Sequence, residues 1–71
     1  MVSQYDLDLM KELYTGWGFI IDPTRKCVNR AFALQKKGLL KGVYLHDEKL
    51  YGKLTRKGVR ILREEELLEE R

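Results

Sequence analysis

A single cysteine, Cys27, in a chain of 71 residues is the feature that most limits what this sequence can fold into. No intrachain disulfide can form, and one cysteine with one histidine, His46, cannot supply a four-ligand zinc site. Without a staple the chain must rely on one apolar core, and a chain this short buries only about 60% of its unfolded surface. That leaves little material for a deep substrate cavity, so neither an enzyme nor a bound cofactor is expected. The hydrophobic share of 44%, with seven aromatics, is enough for a core and too high for a disordered chain. We therefore expect one domain over residues 1–71.

A lone thiol also fits a reducing compartment. Residues 1–10 carry Asp6 and Asp8 and lack the basic-then-apolar pattern of a signal peptide. No apolar run approaches the roughly 20 residues that span a bilayer. The expected setting is the cytoplasm, without membrane association, and the small size suits a viral, plasmid or prokaryotic source, acting in the host cell if viral.

The net charge of +3 conceals an uneven distribution. Residues 1–23 set Lys11 against Asp6, Asp8, Glu12 and Asp22, a net of −3. Residues 24–60 carry eleven Lys and Arg against Asp47 and Glu48, a net of +9, and residues 61–71 return to −3. A central cationic block of this kind suits a polyanion partner.

Apolar spacing then divides the chain. Leu7, Met10 and Tyr14 recur at helical intervals, with Leu9 and Leu13 beside them, which predicts an amphipathic helix from about Gln4 to Thr15 with these residues as its one buried stripe. Ser3 is its expected N-cap, Asp6 completes a capping-box-like start, and Gly16 and Gly18 end it. Trp17, beside that helix end, is expected in the core rather than as a stacking surface for a base. Phe19, Ile20 and Ile21 are long enough for one edge strand. Asp22-Pro23 and Thr24 signal a second helix running to about Lys37 and stopped by Gly38.

That second helix has two unlike faces. Val28, Phe32 and Leu39, with Ala31 and Leu34 alongside, form the expected buried stripe. Arg25, Lys26, Asn29, Arg30, Ala33, Lys36 and Lys37 share the other side, where no acidic residue of the helix appears. A merely solvated helix mixes in Asp or Glu for i, i+4 pairing, so a one-signed face favours an anionic partner. Small Ala33 lets such a face come close to a surface.

Residues 39–54 read as a β-hairpin with Asp47-Glu48 at its tip, and Gly42 and Gly52 mark bulges or close backbone approaches. Thr55 is the expected cap of a last helix with Val59, Ile61, Leu62 and Leu68 as its apolar side and Gly58 admitting close packing. Cys27, beside Val28 and Ala31, is expected as a small buried filler. His46 is expected exposed, and Asp47 with Glu48 is a solvated turn rather than a catalytic pair.

Residues 24–62 resemble the winged helix-turn-helix proteins, particularly the small MarR-like and PadR-like transcriptional regulators. The resemblance rests on Leu34-Gln35-Lys36-Lys37-Gly38-Leu39-Leu40 closing a helix, a hairpin, and Tyr51-Gly52-Lys53-Leu54-Thr55-Arg56-Lys57-Gly58 opening the last helix. It implies an α+β fold of helix, short strand, recognition helix, β-hairpin wing and C-terminal helix. The family's extra helix before the recognition helix has no room between Gly16 and Thr24, so this is a reduced form. By the resemblance, residues 24–37 lie in the major groove of double-stranded DNA. Arg25, Lys26, Asn29 and Arg30 face bases and phosphates, as Arg reads guanine and Asn reads adenine. Thr24 and Lys36 hold phosphate, Lys37 joins them as a DNA-binding residue, and Lys49 and Lys53 bring the wing to the backbone. A homodimer through the first and last helices, with Leu67 and Leu68 as apolar contacts, would read two half-sites about one helical turn apart. The alternative is a winged-helix interaction module that docks an acidic protein or RNA.

Overall fold

The computed structural model describes residues 2–66. It is a small α+β domain whose elements run α1 (Gln4–Thr15), β1 (Phe19–Ile21), α2 (Arg25–Lys36), β2 (Leu40–His46), β3 (Lys49–Leu54) and α3 (Arg56–Glu66). The helices α1, α2 and α3 pack on one face of a three-stranded antiparallel sheet in the order β1-β3-β2.

Each helix begins on a side chain suited to that work. Ser3 accepts the Asp6 amide and Asp6 accepts the Ser3 amide, a complete capping box at α1. Thr24 Oγ1 accepts the Cys27 amide at α2, and Thr55 Oγ1 accepts the Gly58 amide at α3. At its far end α2 closes in a Schellman motif. The Leu39 amide donates to Leu34 and the Gly38 amide to Gln35, with Gly38 at a φ of +81° that side-chain-bearing residues rarely adopt.

The hairpin turns at Asp47 and Glu48, with φ of +54° and +59°. Positive φ at both central residues is what a two-residue type I′ loop demands, and here two acids supply it instead of Asn-Gly. On β2, Gly42 at φ +62° sits in a bulge between the Lys41↔Lys53 and Tyr44↔Tyr51 pairs, so two residues oppose Gly52. The Val43 amide next to the bulge donates to Gln35 Oε1 of α2 at 2.8 Å, which ties the hairpin to that helix.

The core gathers Leu7, Leu9, Met10 and Leu13 of α1, Cys27, Ala31 and Leu34 of α2, then Leu39, Leu40, Val43, Leu50 and Leu62. Gly58 is needed where α3 meets the chain leaving α2, because a Cβ there would collide with the Leu39 carbonyl oxygen. Thr55 strengthens the same joint by donating its hydroxyl to Gly38 and its amide to Leu39.

Three apolar expectations fail. Trp17 is 88% exposed, because Gly16 and Gly18 carry the chain out of α1 in a bend that leaves the indole outside the core. Phe32 is 41% exposed, since α2 turns Cys27, Ala31 and Leu34 inward and Phe32 falls on its flank. Tyr14 is 43% exposed at the last turn of α1, where Leu13 takes the inward position.

Candidate nucleic-acid interface

The exposed side of α2 carries Arg25, Lys26, Asn29, Lys36 and Lys37, with Ala33 half-buried among them. This face follows from the wheel of the helix. With Cys27, Ala31 and Leu34 facing the core, residues about half a turn away must face water. Lys26 extends back over the Tyr5 ring, its ammonium 4.5 Å from the centroid, so its charge stands beside α1. Thr24 is exposed and its oxygen serves as the helix cap.

Arg30 departs from the expected acid-free face. Its Nε and Nη2 donate to the two carboxylate oxygens of Asp6 at 2.9 and 2.6 Å, a bidentate pair that joins α1 to α2. Asp6 is 1% exposed. The Arg30 hydrogen bonds hold its carboxyl below the usual carboxylate range, against the opposing effect of burial, with help from the Ser3 amide. The same contact raises Arg30 further. Asp6 thus acts at once as cap and counter-ion, and the guanidinium is half-exposed rather than free.

The two lysines expected on a wing, Lys49 and Lys53, stand elsewhere. Alternation along β3 buries Leu50 and Gly52 against the helices and turns Lys49, Tyr51 and Lys53 to the other face of the sheet. Lys53 lies opposite Lys41, and Lys49 approaches Asp47 at 3.6 Å. Arg25, Lys26, Asn29, Lys36 and Lys37 are therefore one group on α2, while Lys49 and Lys53 form a second group across the sheet from it.

Between α2 and the hairpin tip runs an open cleft of about 580 Å³, lined by Arg25, Val28 and Asn29 on one side and Leu45 and Glu48 on the other, with Asp22 at its end. It mixes signs. The purely cationic part of α2 is its outer ridge and C-terminal turn rather than its hairpin side.

Cys27 is buried, and burial pushes its thiol up from its ordinary value. His46 is exposed. Among the described residues no three His, Cys, Asp or Glu side chains group to hold a metal, and no helix is long and apolar enough to cross a membrane. Leu67 and Leu68, the expected dimer contacts, lie outside the described residues.

Sequence reasoning missed the outer face of the sheet as a surface. There Phe19, Tyr51 and Tyr44 stand side by side across the three strands, with ring centroids 5.4 and 4.7 Å apart. The signal was present in the run of aromatics at 44 and 51, but only the pairing register aligns them. Comparison with protein-family models, curated proteins and solved structures finds no match to this chain.

Proposed function

We propose that this protein binds double-stranded DNA through the exposed face of α2, as a winged helix-turn-helix domain reduced by one helix, and regulates transcription by occupying its site. One observation carries the reading: Arg25, Lys26, Asn29 and Lys36 are all exposed on a 12-residue helix that has no carboxylate of its own, and Lys37 is exposed at its C-cap. Such a helix is about 18 Å long and enters a major groove about 12 Å wide. The helix-strand-helix-hairpin-helix order and the bracing of β2 on α2 by Gln35 are compatible with it.

Within this reading Asn29 and Arg25 reach base edges, Lys36 and Lys37 hold phosphates, and Ala33 admits the backbone closely. Arg30 works mainly through Asp6, setting the angle of α2 against α1. A single short helix offers few base contacts, so two copies acting on paired half-sites complete the proposal.

Titration against duplex DNA at several salt concentrations tests it. The logarithm of affinity should fall linearly with that of salt, by about 0.9 for each phosphate contacted, and Lys36→Gln should lower that slope by about 1. Affinity indifferent to salt would refute it. The half-exposed Phe32 beside the basic face favours a second reading, an acidic protein partner with Phe32 as its anchor. In that case Phe32→Ala would abolish the protein complex, and duplex DNA would bind only weakly at any sequence.

A further inference from the structure

The outer face of the sheet holds features that duplex binding by α2 does not use. Trp17, the chain's single tryptophan, stands 88% exposed between Gly16 and Gly18. Together with Lys41, Tyr44, Tyr51 and Lys53 it lines an open cleft of about 440 Å³ whose remaining lining is glycine. Tyr44 and Tyr51 stack across the strands at 4.7 Å with planes 6° apart, and Tyr44 still leaves 52% of its surface to water.

The charge in this cleft has one sign. Lys41 and Lys53 are direct cross-strand partners, and like charges placed opposite each other destabilise a sheet. No carboxylate lines the cleft. An anion between the two ammonium groups offsets their repulsion. Aromatic faces beside a pair of cations match an unpaired nucleobase and its flanking phosphates, because any base offers a flat face for stacking while its backbone supplies the charge. A duplex keeps its base faces covered, so this chemistry distinguishes single strands.

We propose that the cleft formed by Trp17, Tyr44 and Tyr51 and flanked by Lys41 and Lys53 binds single-stranded nucleic acid. It takes up an unpaired base against the rings, and the lysines hold the adjoining phosphates. The surface is independent of α2, so it stands whether or not α2 binds duplex DNA.

Trp17 reports on its own site, since no other tryptophan contributes to the emission. Short oligo(dU), oligo(U) and a duplex of equal length should be titrated into the intact chain while indole fluorescence is followed. The single strands should quench it saturably, with a salt slope of about −1.4 for two phosphates. Tyr44→Ala and Lys53→Gln should each weaken the complex about tenfold, whereas Lys36→Gln on α2 should leave it unchanged. Oligo(dU) carries the same base as oligo(U) and differs from it in the sugar alone, so tighter binding of oligo(U) than oligo(dU) would identify RNA as the source of the strand, and the reverse order DNA. Far-UV circular dichroism checks that the variants fold; if Tyr44→Ala does not, Lys53→Gln alone decides. Three results would overturn the proposal: no quenching by either strand, equal quenching by the duplex that Lys36→Gln removes, or an emission shift that follows protein concentration alone. The last would mean that a second copy of the chain covers Trp17.

Discussion

The two cationic faces of this molecule are built on opposite principles. On α2 the charges radiate from a rigid rod, spaced by the helical turn and backed by Cys27, Ala31 and Leu34. On the sheet, Lys41 and Lys53 are forced into direct opposition and set beside stacked rings. The first arrangement minimises mutual repulsion and offers a convex ridge. The second concentrates charge in a concave, aromatic place. Total charge therefore says little about what a small basic domain binds; whether cations stand apart on a ridge or together beside π surfaces says more.

The largest expected effect touches the support that both faces share. Gly58→Ala should lower stability by about 2–3 kcal/mol, because overpacking against a backbone carbonyl outweighs the roughly 1 kcal/mol of helix propensity that alanine adds. Urea denaturation measures it, and a neutral result would mean that α3 does not pin the hairpin to α2. Next, Asp6→Ala should cost about 2 kcal/mol through loss of a cap and of charged hydrogen bonds. A double-mutant cycle with Arg30→Ala should reveal coupling between the two. If the singles add independently, Arg30 belongs to the free cations of α2 after all.

The same pair has a pH signature. The folded carboxyl of Asp6 lies below its ordinary value near 3.8. Its stabilisation is therefore present above that value and is lost as pH falls through the lower, folded value. Acid denaturation of Asp6→Asn should accordingly lack this segment of the curve. A smaller effect separates the faces: Lys36→Gln should weaken duplex binding several-fold at low salt, with no change in thermal stability. The smallest is a gain. Glu48→Gly should raise stability by about 1 kcal/mol by relieving a left-handed residue, and removing its charge from the α2 cleft should slightly strengthen duplex binding.

Much of the fold was legible because its signals are local. Ser3, Thr24 and Thr55 each act on an amide three residues away, and Gly38 ends α2 by its own backbone freedom. The exposed ridge of α2 was legible too, since periodicity alone separates Lys36 from Leu34. Arg30 was not, because a helical wheel shows a helix's own residues and Asp6 lies 24 positions earlier. The aromatic row was hidden for a different reason. The bulge at Gly42 shifts the pairing, so alternation from Leu40 alone would assign Tyr44 to the wrong face. Trp17 misled because its size argues for burial while its two glycine neighbours carry the chain away from the core.

The Gln35–Val43 and Thr55–Gly38 hydrogen bonds span only 8 and 17 residues, against 24 for Asp6–Arg30. In kinetic terms, the half made of α2, the hairpin and α3 closes shorter loops and is expected to assemble first, with α1 docking afterwards. Gln35→Ala should then chiefly slow refolding, whereas Asp6→Ala should chiefly hasten unfolding, a division that a chevron plot resolves. On this account the hairpin is in place before the first helix finds its seat, and β1, whose pairs with β3 span 28 to 32 residues, joins the sheet no earlier than that helix.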